Sequence, residues 1–187
     1  THNRYGGALA AKFLLSMGHR KIGVFICEPL LGQSRSRIQG FNEVLELFNI
    51  MPEIIDCNMK KEDDRREIAY KVMKARLAQP CDLSAIFAIS DCGAIGAMRA
   101  MQDCGLDIPN DINLIGFDGL GISKMQKPPL TTVAQPVTRI AHEIFTILKD
   151  EYCYEAPKQH LMFPELRLGG TVQPIKATSG NELVLAL

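Results

Sequence analysis

The sequence predicts an α/β fold with a doubly wound, mostly parallel sheet, and three observations carry that expectation. Short apolar runs at residues 22–26, 85–89 and 113–117 lack the polar alternation of a half-exposed strand, as expected for strands covered on both faces. The stretches between them place apolar residues at helical spacing. The two kinds of segment alternate through short connections, the pattern of a parallel sheet wrapped by helices.

Residues 5–17 read as the first helix, with Ala8, Ala11, Leu14 and Leu15 on one stripe. Gly18 closes it, and His19, Arg20 and Lys21 suit its negative C-terminal end. After the strand at 22–26, Ser34 is the expected cap of a helix burying Ile38, Phe41, Val44, Leu45 and Phe48. Pro52 ends that segment, and 53–57 is a short strand. Asp63 or Asp64 opens the next helix, which reaches Leu77 with Ile68, Val72 and Met73 facing inward. Ser90 and Asp91 are caps for a helix over 92–104, which Gly105 terminates. Beyond Asp118 the alternation breaks. Pro128 and Pro129 force an extended segment, residues 137–149 form a helix, and 160–163 and 166–168 resemble late strands. The end of the chain beyond Thr171 is weakly patterned.

The 187 residues, 47% of them hydrophobic, suffice for one sizeable core, with or without part of a second domain. Lys+Arg and Asp+Glu both number 21, so this stretch lacks the basic excess needed to grip nucleic acid by itself. No run is long and apolar enough for a membrane helix, and the opening residues do not form a signal peptide. The start at Thr1 instead of Met is expected for a piece of a longer or processed chain. The six cysteines (Cys27, Cys57, Cys81, Cys92, Cys104 and Cys153) show no C-x-x-C spacing and read as reduced, core-filling thiols in a cytoplasmic protein. The four histidines have no metal-ligand spacing.

No G-x-G-x-x-G, P-loop, H-E-x-x-H or G-x-S-x-G motif occurs, so neither a cofactor nor catalysis is expected. Gly93 and Gly96 read as packing glycines inside a helix. In parallel sheets of this kind ligands collect at the carboxyl ends of the strands. Here those ends carry polar residues. Asp118 follows an apolar strand and could accept hydrogen bonds from ligand hydroxyls, or from its own turn backbone. Arg37 falls in the first turn of a helix, where a cation is disfavoured, which suggests a partner anion or ligand if it is not a surface residue. Ser90 and Asp91 read as caps before ligand contacts, and Arg65 and Arg66 as solvated.

Several ordered stretches resemble the LacI/GalR family of transcription regulators. They are Asn3-Arg4-Tyr5-Gly6-Gly7-Ala8, Gly18-His19-Arg20-Lys21-Ile22, Arg37-Ile38-Gln39-Gly40-Phe41, Ala85-Ile86-Phe87 with Ser90-Asp91, Gly105 to Asp118, and Pro128-Pro129-Leu130-Thr131-Thr132-Val133 with Gln135-Pro136. The likeness spans residues 3–137 and weakens toward 171.

The resemblance implies a periplasmic-binding-protein-like fold of type I, in which two α/β subdomains hold an effector between them. It places residues 3–133 in the C-terminal subdomain and 134–150 in a crossover and helix of the N-terminal one. Residues 151–175 would hold return strands, and 176–187 a tail. The 137–149 helix would then lack a sheet to cover its apolar face, and is expected to pack abnormally or drive self-association. The implied ligand-binding residues are Arg37, Asp118, Ser90, Met59, Gln33 and Gln135. Met59 stands where the family often has a stacking aromatic residue, Ser90 where Asn is frequent, and Gly169 where Arg is usual. The implied partners are a sugar, sugar phosphate or purine effector, a second copy in a homodimer, and operator DNA held through an N-terminal helix-turn-helix absent here, with no membrane. The rivals are a periplasmic sugar-binding protein of the same fold and an enzyme on a doubly wound sheet.

Overall fold

Strands β1 (Ile22–Ile26), β2 (Glu53–Asp56), β3 (Ala85–Ala88), β4 (Asn113–Asp118), β5 (Thr131–Ala134) and β6 (Glu165–Arg167) form one sheet in the order β2-β1-β3-β4-β5-β6. The first five run parallel, and β6 closes the far edge antiparallel to β5. Every residue of β1, β3 and β5 is buried, which is the physical reason their sequences do not alternate. Edge strand β2 buries only Ile55. The computed structural model describes residues 1–60, 64–149 and 160–175. Asp63 and Cys153 therefore lie outside the described residues, as do the expected tail and residues 151–159 of the expected 151–175 return segment.

Helices α1 (Asn3–Ser16) and α2 (Gly32–Glu46) pack together, as do α3 (Arg65–Leu77) and α4 (Asp91–Asp103), the two layers of a doubly wound sheet. The α1–α2 crossing is backbone against backbone. A Cβ on Gly7 would lie 1.9 Å from the carbonyl oxygen of Arg37, and one on Gly40 would lie 1.8 Å from that of Arg4. Beneath it the rings of Phe41 and Phe87 stack with centroids 4.6 Å apart. Phe25, Phe41, Phe87 and Phe117 are all fully buried, each contributing about 2 kcal/mol of apolar burial.

The helix ends follow local chemistry. Gly18, with φ +89°, ends α1: its N–H bonds the Leu15 carbonyl, and the His19 N–H bonds that of Leu14. The Asp64 carboxylate caps α3 by accepting from the N–H groups of Arg66 and Glu67. Gly105, with φ +81°, follows α4.

Five expectations are corrected. Helix α2 begins at Gly32 without a side-chain cap, so Ser34 is not its cap; its hydroxyl donates to Glu28 and the Pro29 carbonyl instead. The earlier start puts Arg37 in the second turn, where the helix dipole no longer explains it. Phe48 lies beyond the end of α2 and is exposed. Residues 160–163 are not a strand, and only Glu165–Arg167 pairs with β5. Among the described cysteines, all free, Cys27 and Cys57 fill the core, Cys81 and Cys104 are exposed, and Cys92 is intermediate. Helix α5 (Val137–Lys149) buries no residue, leaving Val137, Ile144, Phe145 and Leu148 exposed.

Candidate functional site

The sheet order reverses between β1 and β3: β2 lies to one side of β1 and β3 to the other. The helices that follow these strands leave on opposite faces, opening a crevice at their carboxyl ends. Glu28 follows β1, Ile89 and Ser90 follow β3, Asp118 ends β4 and Gln135 follows β5.

Arg37 reaches into this crevice from α2 and is almost wholly buried. Its Nε donates to Asn3 Oδ1 at 3.0 Å and its Nη1 to the Ile89 carbonyl at 2.6 Å. Nη1 also lies 3.5 Å from Glu28 Oε1, and Nη2 lies 3.1 Å from Asp118 Oδ1. The guanidinium lies over the Phe117 ring, with Cζ 3.9 Å from its centroid.

Asp118 Oδ1 also accepts from Gln135 Nε2 at 2.8 Å, and Gln135 Oε1 accepts from the Thr1 hydroxyl. The backbone of Asp118 has φ 116°, a region L-residues rarely occupy, at a cost of about 1–3 kcal/mol. Burial pushes its carboxyl above the usual carboxylate range, against the opposing pull of Arg37 and the Gln135 hydrogen bond. A strained, desolvated carboxylate at a crevice is the arrangement expected where a ligand must be met.

Arg37, Asp118 and Gln135 thus form one network. Gln33 lies apart from it, lining an open cavity of about 390 Å³ with Glu28, Pro29, Leu31, Ser34 and Arg65. Ser90 is 1% exposed; its hydroxyl caps α4 by accepting from the Gly93 N–H and lies 3.4 Å from Cys27 Sγ. Met59 is buried with the core after β2. Asp91, read as a cap, is fully buried and accepts from the Leu120 N–H and from the Ser123 and Thr132 hydroxyls, so it fixes the loop after β4 against β5. Burial raises its carboxyl despite those bonds.

Sequence reasoning missed Asn3 and Glu28. The signal for Glu28 was available: a carboxylate directly after a fully apolar strand sits at the ligand end of the sheet. Arg65, expected to be solvated, is half exposed and lies 3.7 Å from Glu28 Oε2.

A two-sided parallel sheet with a charged, hydrogen-bonded crevice at its switch point defines a ligand-binding α/β domain. Residues 11–172 match the family described as periplasmic binding protein-like domain, and the chain belongs to that family. Its curated relatives include the HTH-type transcriptional repressor PurR of Haemophilus influenzae, 32% identical over 157 residues, which covers 82% of this chain and 45% of the relative. The PurR repressor of Serratia proteamaculans is 36% identical over 145 residues, covering 78% and 42%. The chain therefore spans about half the length of the curated relatives it matches. Among solved structures, a LacI family transcriptional regulator from Enterococcus faecium with bound ribose superposes with a TM-score of 0.83 at 25% identity, covering 94% of this chain and 65% of that one. A LacI family regulator from Enterococcus faecalis, also with bound ribose, gives 0.80 at 27%, covering 94% and 63%. These likenesses are to the effector-binding part of LacI-family regulators. Among the described residues no helix is long and apolar enough to cross a membrane.

Proposed function

We propose that this chain is the effector-sensing part of a LacI-type transcription regulator in the cytoplasm, and that it binds a small sugar-like ligand without chemically changing it. The observation that carries this reading is the Arg37–Asp118–Gln135 network at the carboxyl ends of the sheet. Ligand hydroxyls would meet the Asp118 carboxylate, with Arg37 fixing its orientation; Gln135 would contribute from the start of the crossover, and Gln33 from the rim. The buried placement of Ser90 and Met59 favours supporting roles for them beneath the ligand.

On this reading residues 3–133 form one wall of the cleft, the C-terminal subdomain, and 134–150 cross to the other. The exposed apolar face of α5 supports that assignment, because such a face is expected to be covered by a sheet. Ligand binding would then shift the balance between two hinge states, and a dimer of the whole regulator would convey the shift to operator DNA. A thermal-shift screen of pentoses, hexoses, sugar phosphates and purines tests the reading. At least one is expected to stabilise the chain saturably, with the shift lost in both Arg37→Ala and Asp118→Ala. Retention of the shift in both variants would place the site elsewhere.

A further inference from the structure

We infer that Glu28 is a specificity-determining residue that acts as a charge filter, admitting neutral hydroxyl-rich ligands to the crevice and excluding phosphorylated or otherwise anionic ones. The inference rests on the effector-site reading above and narrows its ligand class.

A buried arginine in a ligand crevice would ordinarily attract anions, because its planar fork matches phosphate and carboxylate oxygens. Arg37 is not available in that way. Each of its three nitrogens already has a protein acceptor: Asn3 for Nε, Ile89 and Glu28 for Nη1, and Asp118 for Nη2. Its charge is flanked by two carboxylates, both largely buried, with side-chain exposures of 14% for Glu28 and 21% for Asp118.

The second cation of the crevice is held by the same group. Arg65 Nη1 lies 3.7 Å from Glu28 Oε2, on the wall of the cavity that Glu28 itself lines. Glu28 thus divides its two oxygens between the two arginines, with Oε1 also accepting from Ser34 at 2.8 Å. An incoming dianion would have to break one of these contacts or lie beside the largely buried Glu28 carboxylate, where like charges repel. A neutral polyol brings hydroxyl donors, which suit what remains open. Arg37 and Gln135 both meet Asp118 at Oδ1, on one side of its carboxylate.

The test uses the 187-residue chain, its Glu28→Gln variant, which removes only the charge, and Glu28→Asp, which keeps it. Binding is followed by thermal shift and calorimetry with inorganic phosphate against chloride at matched ionic strength, and with paired ribose and ribose 5-phosphate, and glucose and glucose 6-phosphate. The wild type should show no saturable response to inorganic phosphate. Glu28→Gln should gain one, which disappears on adding Arg65→Ala, while Glu28→Asp should behave as wild type. Any sugar that binds the wild type should bind at least about tenfold more tightly than its phosphate ester, and the gap should close in Glu28→Gln. Saturable phosphate binding by the wild type that Glu28→Gln leaves unchanged overturns the inference. So does the same gain in Glu28→Asp, which would show that geometry and not charge is responsible. If no sugar or purine stabilises the wild type, the effector reading fails separately, and the inorganic-phosphate arm still decides the role of Glu28.

Discussion

The guanidinium of Arg37 lies over Phe117, with Cζ 3.9 Å from the ring centroid, while its Nη2 meets Asp118 Oδ1 at 3.1 Å. One side chain thus joins the apolar core to the polar crevice. Arg37→Ala should destabilise the fold by about 3 kcal/mol, because it leaves a largely buried carboxylate and a buried carbonyl without their cation. Arg37→Lys should recover less than half of that loss, since an ammonium has neither the flat face nor the fork. Urea unfolding at neutral pH measures both, and a Lys variant as stable as wild type would contradict this account.

Asp91 gathers donors from two separate segments, the loop after β4 and strand β5. Asp91→Ala strands those donors in the interior and should cost about 3 kcal/mol or more, whereas Thr132→Val should cost about 1–2 kcal/mol. Denaturant midpoints of the two variants check the order.

His19 is fully buried between the Ser84 hydroxyl, 3.0 Å from Nδ1, and the Gln173 carbonyl, 3.3 Å from Nε2. Burial lowers its pKa from the ordinary 6.5. The unfolded chain therefore takes up a proton at a pH where the folded one does not, and the stability contributed by neutral His19 declines as pH falls through 6.5 toward the lowered folded value. Between pH 7.5 and 5.5 the wild type should lose more stability than His19→Gln. Parallel slopes for the two proteins in chemical denaturation would rule out this linkage.

Gly40 and Gly32 lie on the same helix and should respond oppositely to alanine. A Cβ at Gly40 would meet the Arg4 carbonyl at 1.8 Å, while one at Gly32 finds nothing within 4 Å. Gly40→Ala should force α1 and α2 apart and cost about 3 kcal/mol or more. Gly32→Ala should be neutral or stabilising by up to about 1 kcal/mol, from helix propensity alone. Thermal melts distinguish the two at once.

Helix α5 presents an apolar face with no residue buried. The chain should self-associate as its concentration rises, and removal of residues 137–149 should abolish the association. Size-exclusion chromatography with light scattering reads this directly, and identical monomers with and without the helix would refute it.

Much of the sheet was legible because burial on both faces leaves a plain mark: β1 and β3 appear as apolar runs, and the bounds of α5 follow from its spacing. The start of α2 was not legible. Ser34 is a good capping residue by type, yet the chain turns three residues earlier and uses its hydroxyl on Glu28. Arg37 and Asp118 could be singled out by resemblance, whereas their contact spans strands and helices distant in sequence. Glu28 escaped notice because an acidic residue before a proline looks like an ordinary turn until Arg37 and Arg65 are seen on either side of it.

The meeting of α1 and α2 at Gly7 has a consequence for how such a domain changes its ligand. The atom that Gly7 faces is the carbonyl oxygen of Arg37 itself, so the arginine stands on one of the two close backbone contacts of the helix pair. At the rim, by contrast, a Cβ on Gly32 would meet nothing within 4 Å. Descent with modification can therefore rewrite the rim, one residue at a time, and obtain a different taste in small molecules from an unaltered mount.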